Sequence, residues 1–512
     1  MKQGILVTTA FYILSFAFLL PVWLFPYFPS SDGPSHLFNS YVYLNYGHAS
    51  IFEQAYTLHV PTAGNLAGHG LAILLLKLGL PWEVCEKLLV TICILGLVAA
   101  FRYAVSGVRS AHPAAAFLVL PFLYNWPLQM GFWSFALGVP FLLVCIGLCL
   151  RYRGNWNVRS LSLLFLAVGA AYLCHPISWA VCGMVIAVLT VTAEWRGLLR
   201  GTERRRSARQ ILLPLAVFLP FAIPNLLFAS ENNFAQWDHI RSIRTFLWPL
   251  YTDTPLHLFE ADARPARVLF VLLLLGSLAN GIWRIRARKT DFSDTLFFVG
   301  ALLLAMGLFC PDRIGEGTFL AVRFFLFGYL VWALWLGVTV PPRAIIAVAS
   351  IAVLMSVWLV WARLPAWSAA NHALSEFVRL GSVVPPNSYV CQLDFLKETE
   401  TVRPMDHAID LLPARNIVDV RDYEAGRNAF WTRFRPGYFL DENYLVLSSR
   451  KDFEGALGRF ETRTGKKLNF IILTDMKNSP EKTLQQVLPS LWSQYKIVGV
   501  SNTGTAIFAR KS

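Results

Sequence analysis

The stretch on which the fold turns is Leu66-Ala67-Gly68-His69-Gly70-Leu71-Ala72-Ile73-Leu74-Leu75-Leu76-Lys77-Leu78-Gly79-Leu80-Pro81. Its apolar part, Leu66 to Leu80, runs about 15 residues and closes on the turn signal Gly79-Leu80-Pro81. At about 1.5 Å per residue such a helix falls short of the roughly 30 Å of hydrocarbon in a bilayer, so it reads as an interfacial or re-entrant helix on the external face. Left out of the count of spans, it leaves eleven: Ile5 to Phe25, then residues 83–103, 112–127, 131–150, 160–174, 176–193, 210–229, 266–283, 293–310, 323–340 and 344–362.

Charge placement tests that register. Seventeen Lys and Arg residues, among them Lys2, Arg102, Arg151, Arg196, Arg204, Arg284 and Arg343, fall on the cytoplasmic side, against eight externally before the last domain: Lys77, Lys87, Arg241, Arg244, Arg264, Arg267, Arg313 and Arg323. This is the positive-inside bias of a membrane protein, and counting Leu66 to Leu80 as a span inverts it. The expected location is the inner (plasma) membrane, multi-pass, with a cytoplasmic N-terminus and a periplasmic or extracellular C-terminal domain. Ile5 to Phe25 behind Lys2 has the layout of a signal peptide but is too long and lacks an A-x-A cleavage site, so it reads as an uncleaved first span.

Composition points the same way. The 512 residues are 55% apolar and 15% charged, with a mean hydropathy of +0.50, more apolar surface than one soluble core hides. In hydrocarbon each segment must satisfy its own backbone groups, which dictates helices. The formal charge of +14 raises nucleic acid as a partner, but Lys and Arg flank the spans and form no basic-aromatic patch, so no nucleic-acid partner is expected. The eight cysteines show neither C-x-x-C nor metal-like spacing and read as small buried apolar residues; Cys391 stands alone in the last domain, which therefore has no disulfide framework.

The fold class is thus a polytopic α-helical membrane protein with a C-terminal soluble α/β domain. The membrane part is expected over 1–365, with its first external loop at 26–82, and the external domain over 366–512. Within that domain the pattern predicts helices at His372 to Leu380, Met405 to Leu412 and Glu481 to Gln494. Strands are predicted at Ser388 to Leu393, Leu468 to Thr474, Tyr495 to Val500 and Thr505 to Ala509.

Chemistry concentrates in the external turns. Ser30-Ser31-Asp32-Gly33-Pro34-Ser35-His36 directly follows the first span. A carboxylate there suits a general base toward an incoming hydroxyl, with His36 one helical turn away; Asp before Gly-Pro is equally the pattern of a helix N-cap. His175-Pro176 falls at a turn between two spans, where an imidazole lines an aqueous cavity or merely closes a hairpin. Arg313, Glu316 and Arg323 lie at another external turn, and Arg323 abuts the apolar run Phe324 to Leu330. A guanidinium there suits a lipid-linked phosphate, or simply snorkels to the interface or pairs with Glu316. The loop Glu231 to Arg267, with Trp237 and Asp238, fits a sugar-binding surface and an interfacial aromatic belt alike. No nucleotide loop, Ser-His-Asp order or H-E-x-x-H occurs.

The layout resembles the GT-C superfamily of membrane glycosyltransferases, which includes protein mannosyltransferases and lipid A aminoarabinose transferases. Asp32 occupies the position of the catalytic acid these proteins carry soon after the first span. Pro61 to Leu80, with Asn65 and His69, is similar to their interfacial helix, and Trp82 to Leu88 to the start of their second span. The blocks Gln129 to Gly138, Tyr172-Leu173-Cys174-His175-Pro176 and Pro311 to Gly317 resemble uncharacterised bacterial proteins of GT-C type. The resemblance covers roughly residues 1 to 365.

It implies a glycosyltransferase that takes a sugar from a polyprenyl-phosphate-linked donor and passes it to a lipid, polysaccharide or protein acceptor of the envelope on the external face, among membrane lipids. Asp32 and His36 are the expected catalytic residues, Arg323 and Arg313 the donor-phosphate ligands, and His69, His175, Glu316, Trp237 and Asp238 the lining of the cavity or acceptor site. Several family members carry an adjacent acidic pair where this loop has one acid, so no cofactor is expected, and a divalent metal stays open without support. The rival readings are a transporter or flippase of a lipid-linked substrate, which would need ionisable residues at mid-span, and a non-catalytic envelope assembly protein.

Overall fold

The computed structural model describes residues 2–199, 203–232, 255–315, 317–395, 401–440, 450–478, 488, 489 and 491–511. Among them, eight helices are long and apolar enough to cross a membrane: Gly4–Leu24, Trp82–Val105, Trp133–Tyr152, Pro176–Leu199, Glu260–Arg286, Phe292–Phe309, Leu320–Thr339 and Pro342–Val383. A ninth forms if Arg204–Ala216 and Leu219–Glu231, bent by 47°, make one span.

The other two expected spans are shorter apolar helices. The run at 112–127 holds the ten-residue 3-10 helix Pro113–Phe122, framed by Pro113 and Pro121 and capped where the Ala114 amide donates to His112 Nδ1. At roughly 2.0 Å per residue it reaches only about 20 Å. The run at 160–174 is the 17-residue helix Val158–Cys174, at the lower end of the length a spanning helix needs. Leu66–Lys77 is a helix of 12 residues, the length of an interfacial element rather than a span.

Leu320–Thr339 is the centre of the bundle, with 94% of its most apolar window buried. Small residues let neighbours approach it: a Cβ on Gly300 would meet the Trp332 ring at 2.3 Å, and one on Gly307 the Phe325 ring at 2.4 Å. The last helix, Pro342–Leu380, is 39 residues long and runs unbroken through residue 365, so the chain passes from the bundle toward the sheet without a linker.

The described residues hold seven strands: β1 Tyr56–Leu58, β2 Tyr389–Asp394, β3 Val418–Asp419, β4 Thr432–Phe434, β5 Phe470–Thr474, β6 Tyr495–Val500 and β7 Ala506–Arg510. Five of them form one sheet in the order β3-β2-β5-β7-β6, parallel across β3, β2 and β5 and antiparallel beyond. The predicted strands thus appear within a residue or two of their expected ends. The helix expected at Met405 to Leu412 is reduced to the 3-10 turn Ala408–Leu411. Most of the helix expected at Glu481 to Gln494 lies outside the described residues. All eight cysteines are free thiols and seven are buried.

The first loop and the C-terminal sheet are not separate bodies. β1 of the loop pairs antiparallel with β4, with Tyr56 opposite Phe434. Leu37, Phe38 and Phe52 of the loop share one apolar core with Val390, Ile471 and Phe508 of the sheet. Below them, the Tyr27 amide donates to Asn371 Oδ1 of the last helix at 2.8 Å. Burial of common apolar surface therefore holds the loop against the domain.

Candidate active site

Asp32 sits at the N-cap of the helix Gly33–Asn45 with Pro34 in the first turn, yet its side chain makes no capping bond. Its carboxylate points away from the helix: Tyr423 Oη donates to Oδ2 at 3.1 Å, and His407 Nε2 stands 3.7 Å from Oδ1. The turn is clamped from behind, because the Asp32 amide donates to the Met130 carbonyl at 2.8 Å and Gln129 Nε2 to the Pro29 carbonyl at 2.6 Å. Gly131, at φ +90°, lies so close that a Cβ there would stand 2.4 Å from the Gly33 nitrogen. Burial pushes the Asp32 carboxyl up to about 6, with Asp406 and Glu424 adding to the rise and His407 and Tyr423 opposing it.

Across the cavity stands Arg323, on the first turn of the central helix Leu320–Thr339 and 7% exposed. Its Nη1 lies 2.8 Å from His175 Nε2, and its guanidinium carbon lies over the rings of Phe132 at 4.8 Å and Phe135 at 5.1 Å. Its Nε has no hydrogen-bond partner. A guanidinium so packed has little rotational freedom and keeps a donor unspent. Asp32, His36, His175 and Arg323 line one cavity of about 490 Å³, with Asp406, His407, Tyr423 and Arg427 from the C-terminal part and apolar walls that include Met130, Phe324 and Phe430.

Beside the cavity the structure assembles a group that was not expected. Glu424, fully buried, has Oε1 in contact with His36 Nδ1 and Oε2 2.8 Å from His69 Nε2. The two rings are 5.1 Å apart and edge to face. Three elements meet here: the helix Gly33–Asn45, the helix Leu66–Lys77 and the loop between β3 and β4. Asn65, in a left-handed conformation at φ 51°, starts the second helix and aims its carbonyl at His69 Nδ1. The imidazoles hold the Glu424 carboxyl down to about 2 against the cost of burial. Behind it Asp410 and Asp422 are pushed well up, first by burial and then by neighbouring carboxylates. Among the described residues, His36, His69 and Glu424 present three possible ligand atoms within 4.8 Å of one another, a grouping that their spacing in sequence does not show.

Comparison with known proteins finds no matching family model and no matching curated protein. Among solved structures the chain is similar to the mycobacterial arabinofuranosyltransferase AftD, at 12% identity and a TM-score of 0.47, over 100% of this chain and 40% of that one. It is also similar to an Archaeoglobus fulgidus oligosaccharyltransferase solved with zinc and sulfate, at 10% identity and a TM-score of 0.48, over 94% of this chain and 69% of that one. The chain thus spans less than half the length of the first and about two thirds of the second.

Of the expected site residues, Asp32, His36, His175 and Arg323 converge. Arg313 does not line the cavity; its Nε donates to the Gly315 carbonyl at 3.2 Å and so closes its own turn. His69 stands behind His36 on Glu424 rather than at the cavity wall. Trp237, Asp238 and Glu316 lie outside the described residues. Sequence reading missed His407, Tyr423, Glu424 and Arg427. For Tyr423 and Glu424 the local signal is Asp419-Val420-Arg421-Asp422-Tyr423-Glu424, a charged and aromatic run.

Proposed function

We propose that the protein is a GT-C-type membrane glycosyltransferase that moves a hexosyl or pentosyl unit from a polyprenyl-phosphate-linked donor to an envelope acceptor on the external face. The observation that carries the reading is the meeting of Asp32 and Arg323 in one apolar-walled cavity. The acceptor hydroxyl oxygen attacks the anomeric carbon as the bond from that carbon to the phosphate oxygen breaks. Asp32 takes the hydroxyl proton, and the departing lipid phosphate keeps the electron pair beside Arg323. His175 and the rings of Phe132 and Phe135 hold that guanidinium in place, while Tyr423 and His407 orient the carboxylate.

The external assignment rests on chain direction. Trp133–Tyr152 and Pro176–Leu199 both begin at the cavity and run to Arg151 and Arg196 in their last turns, which puts the arginines at the far ends from Asp32.

The test is an assay of the purified protein with a panel of labelled hexosyl and pentosyl polyprenyl phosphates. The wild type is expected to release lipid phosphate with glycosylation of an acceptor, and Asp32→Asn to lose roughly 100- to 10,000-fold in rate. A transporter or an assembly protein releases none, and absence of wild-type-dependent lipid phosphate across the panel refutes the proposal.

A further inference from the structure

We infer that His36, His69 and Glu424 form a binding site for a divalent transition cation of the zinc class, which pins the C-terminal domain to the first external loop. The assignment does not depend on which reaction the neighbouring cavity performs.

The argument starts from proton positions. His69 Nδ1 lies 3.2 Å from the Asn65 carbonyl oxygen, which only accepts, so Nδ1 carries the hydrogen and the neutral ring presents a bare lone pair at Nε2. That lone pair faces Glu424 Oε2 at 2.8 Å. Two acceptors do not rest at that separation unless a positive charge sits with them. His36 Nδ1 and Glu424 Oε1 are likewise in contact, yet both are buried without a hydrogen-bond partner, so the pair lacks the directionality of an N–H···O bond. The unsatisfied atoms therefore point at one another, as ligand atoms around a shared cation do.

Either protons or one cation fill these contacts. With protons, His36 donates from Nδ1 as a neutral ring, but His69 must hold a second proton on a ring 3% exposed, 5.1 Å from the other imidazole. One cation lets both rings stay neutral and gives each lone pair that faces Glu424 a partner. Two imidazole nitrogens and a carboxylate are the donor set of borderline metals, whereas magnesium and calcium take oxygen ligands. A ligating histidine is usually oriented by donating its other N–H to a backbone carbonyl, which is what Asn65 accepts from His69. The Asn65 carbonyl also accepts from Trp431 Nε1 at 3.1 Å, so the carbonyl that positions His69 is itself fixed by the C-terminal domain.

The full chain, purified in detergent without chelator and reloaded with Zn²⁺, is measured by inductively coupled plasma mass spectrometry and by X-ray absorption at the zinc edge. About one tightly held zinc per chain is expected, falling below about a tenth in Glu424→Gln and His69→Gln. The wild-type absorption spectrum is expected to show imidazole scattering with nitrogen and oxygen in the first shell. That readout needs no variant to fold. Zinc content equal in wild type and both variants, a first shell containing thiolate or lacking imidazole, or a wild type that retains no zinc after reloading each overturns the assignment, the last leaving a protonated His-Glu-His contact in its place.

Discussion

Asp32 occupies an N-cap position yet gives its carboxylate to Tyr423, 391 residues further along the chain, and not to its own helix. An N-cap aspartate satisfies backbone amides and stays ionised well below neutral pH. This one is withheld from that task, buried, and aimed into a cavity. The consequence is a carboxyl whose titration falls in the range where a general base is useful.

The first prediction is a pH profile. Burial pushes Asp32 up to about 6, and the proposed reaction needs it ionised. Transfer by the wild type should therefore be flat above that pH and fall roughly tenfold per unit below it. Initial rates across a pH series at saturating donor measure the limb. A profile that stays level down to pH values near those of an ordinary aspartate (about 4) would remove Asp32 from the role of base.

Tyr423→Phe should move that limb. The hydroxyl donates to Asp32 Oδ2 and favours the charged carboxylate, so its loss raises the carboxyl further and shifts the acid limb to higher pH. The same profile on the variant gives the answer, and a limb displaced downward or not at all contradicts the assigned hydrogen bond. Rate above the limb should suffer less than in Asp32→Asn, because Tyr423 orients the base and does not replace it.

That Asp32, His175 and Arg323 meet was legible in sequence because each is a polar residue stranded next to an apolar run. Their partners were not. Tyr423 and Glu424 reach the site through β1 against β4, strands of three residues too short to show an alternating pattern. The winding of the run at 112–127 was not legible, because hydropathy counts apolar residues and does not register that Pro113 and Pro121 frame a 3-10 helix of ten residues. The grouping of His36, His69 and Glu424 was hidden for the same reason, because residues 36, 69 and 424 have a spacing without a motif.

Arg323→Lys tests the phosphate clamp. Lysine keeps the charge but loses the planar face that lies over Phe132 and Phe135 and the branched donor shared with His175. Losing a charge-assisted hydrogen bond of about 1.5–3 kcal/mol predicts a drop of roughly 10- to 150-fold in kcat/KM for the lipid-phosphate donor. Steady-state kinetics at varied donor measures it. An unchanged kcat/KM would show that the donor phosphate binds elsewhere.

The last prediction separates backbone strain from close packing at the Asp32 turn. Gly131 and Gly79 both hold positive φ, +90° and +76°, but a Cβ on Gly131 would stand 2.4 Å from the Gly33 nitrogen while one on Gly79 meets nothing within 4 Å. Alanine at Gly79 adds conformational strain alone, about 1 kcal/mol. At Gly131 the same strain is joined by a collision with backbone, which cannot rotate aside, and overpacking of this kind costs about 1–3 kcal/mol more. Gly131→Ala should therefore lower the Tm of the detergent-solubilised protein by more than Gly79→Ala. It should also slow transfer, because relief of the clash moves the Asp32–Gly33 peptide and swings the carboxylate away from Tyr423. Equal Tm losses in the two variants would mean that the 129–131 turn does not press on the base, and the precise placement of Asp32 would need another source.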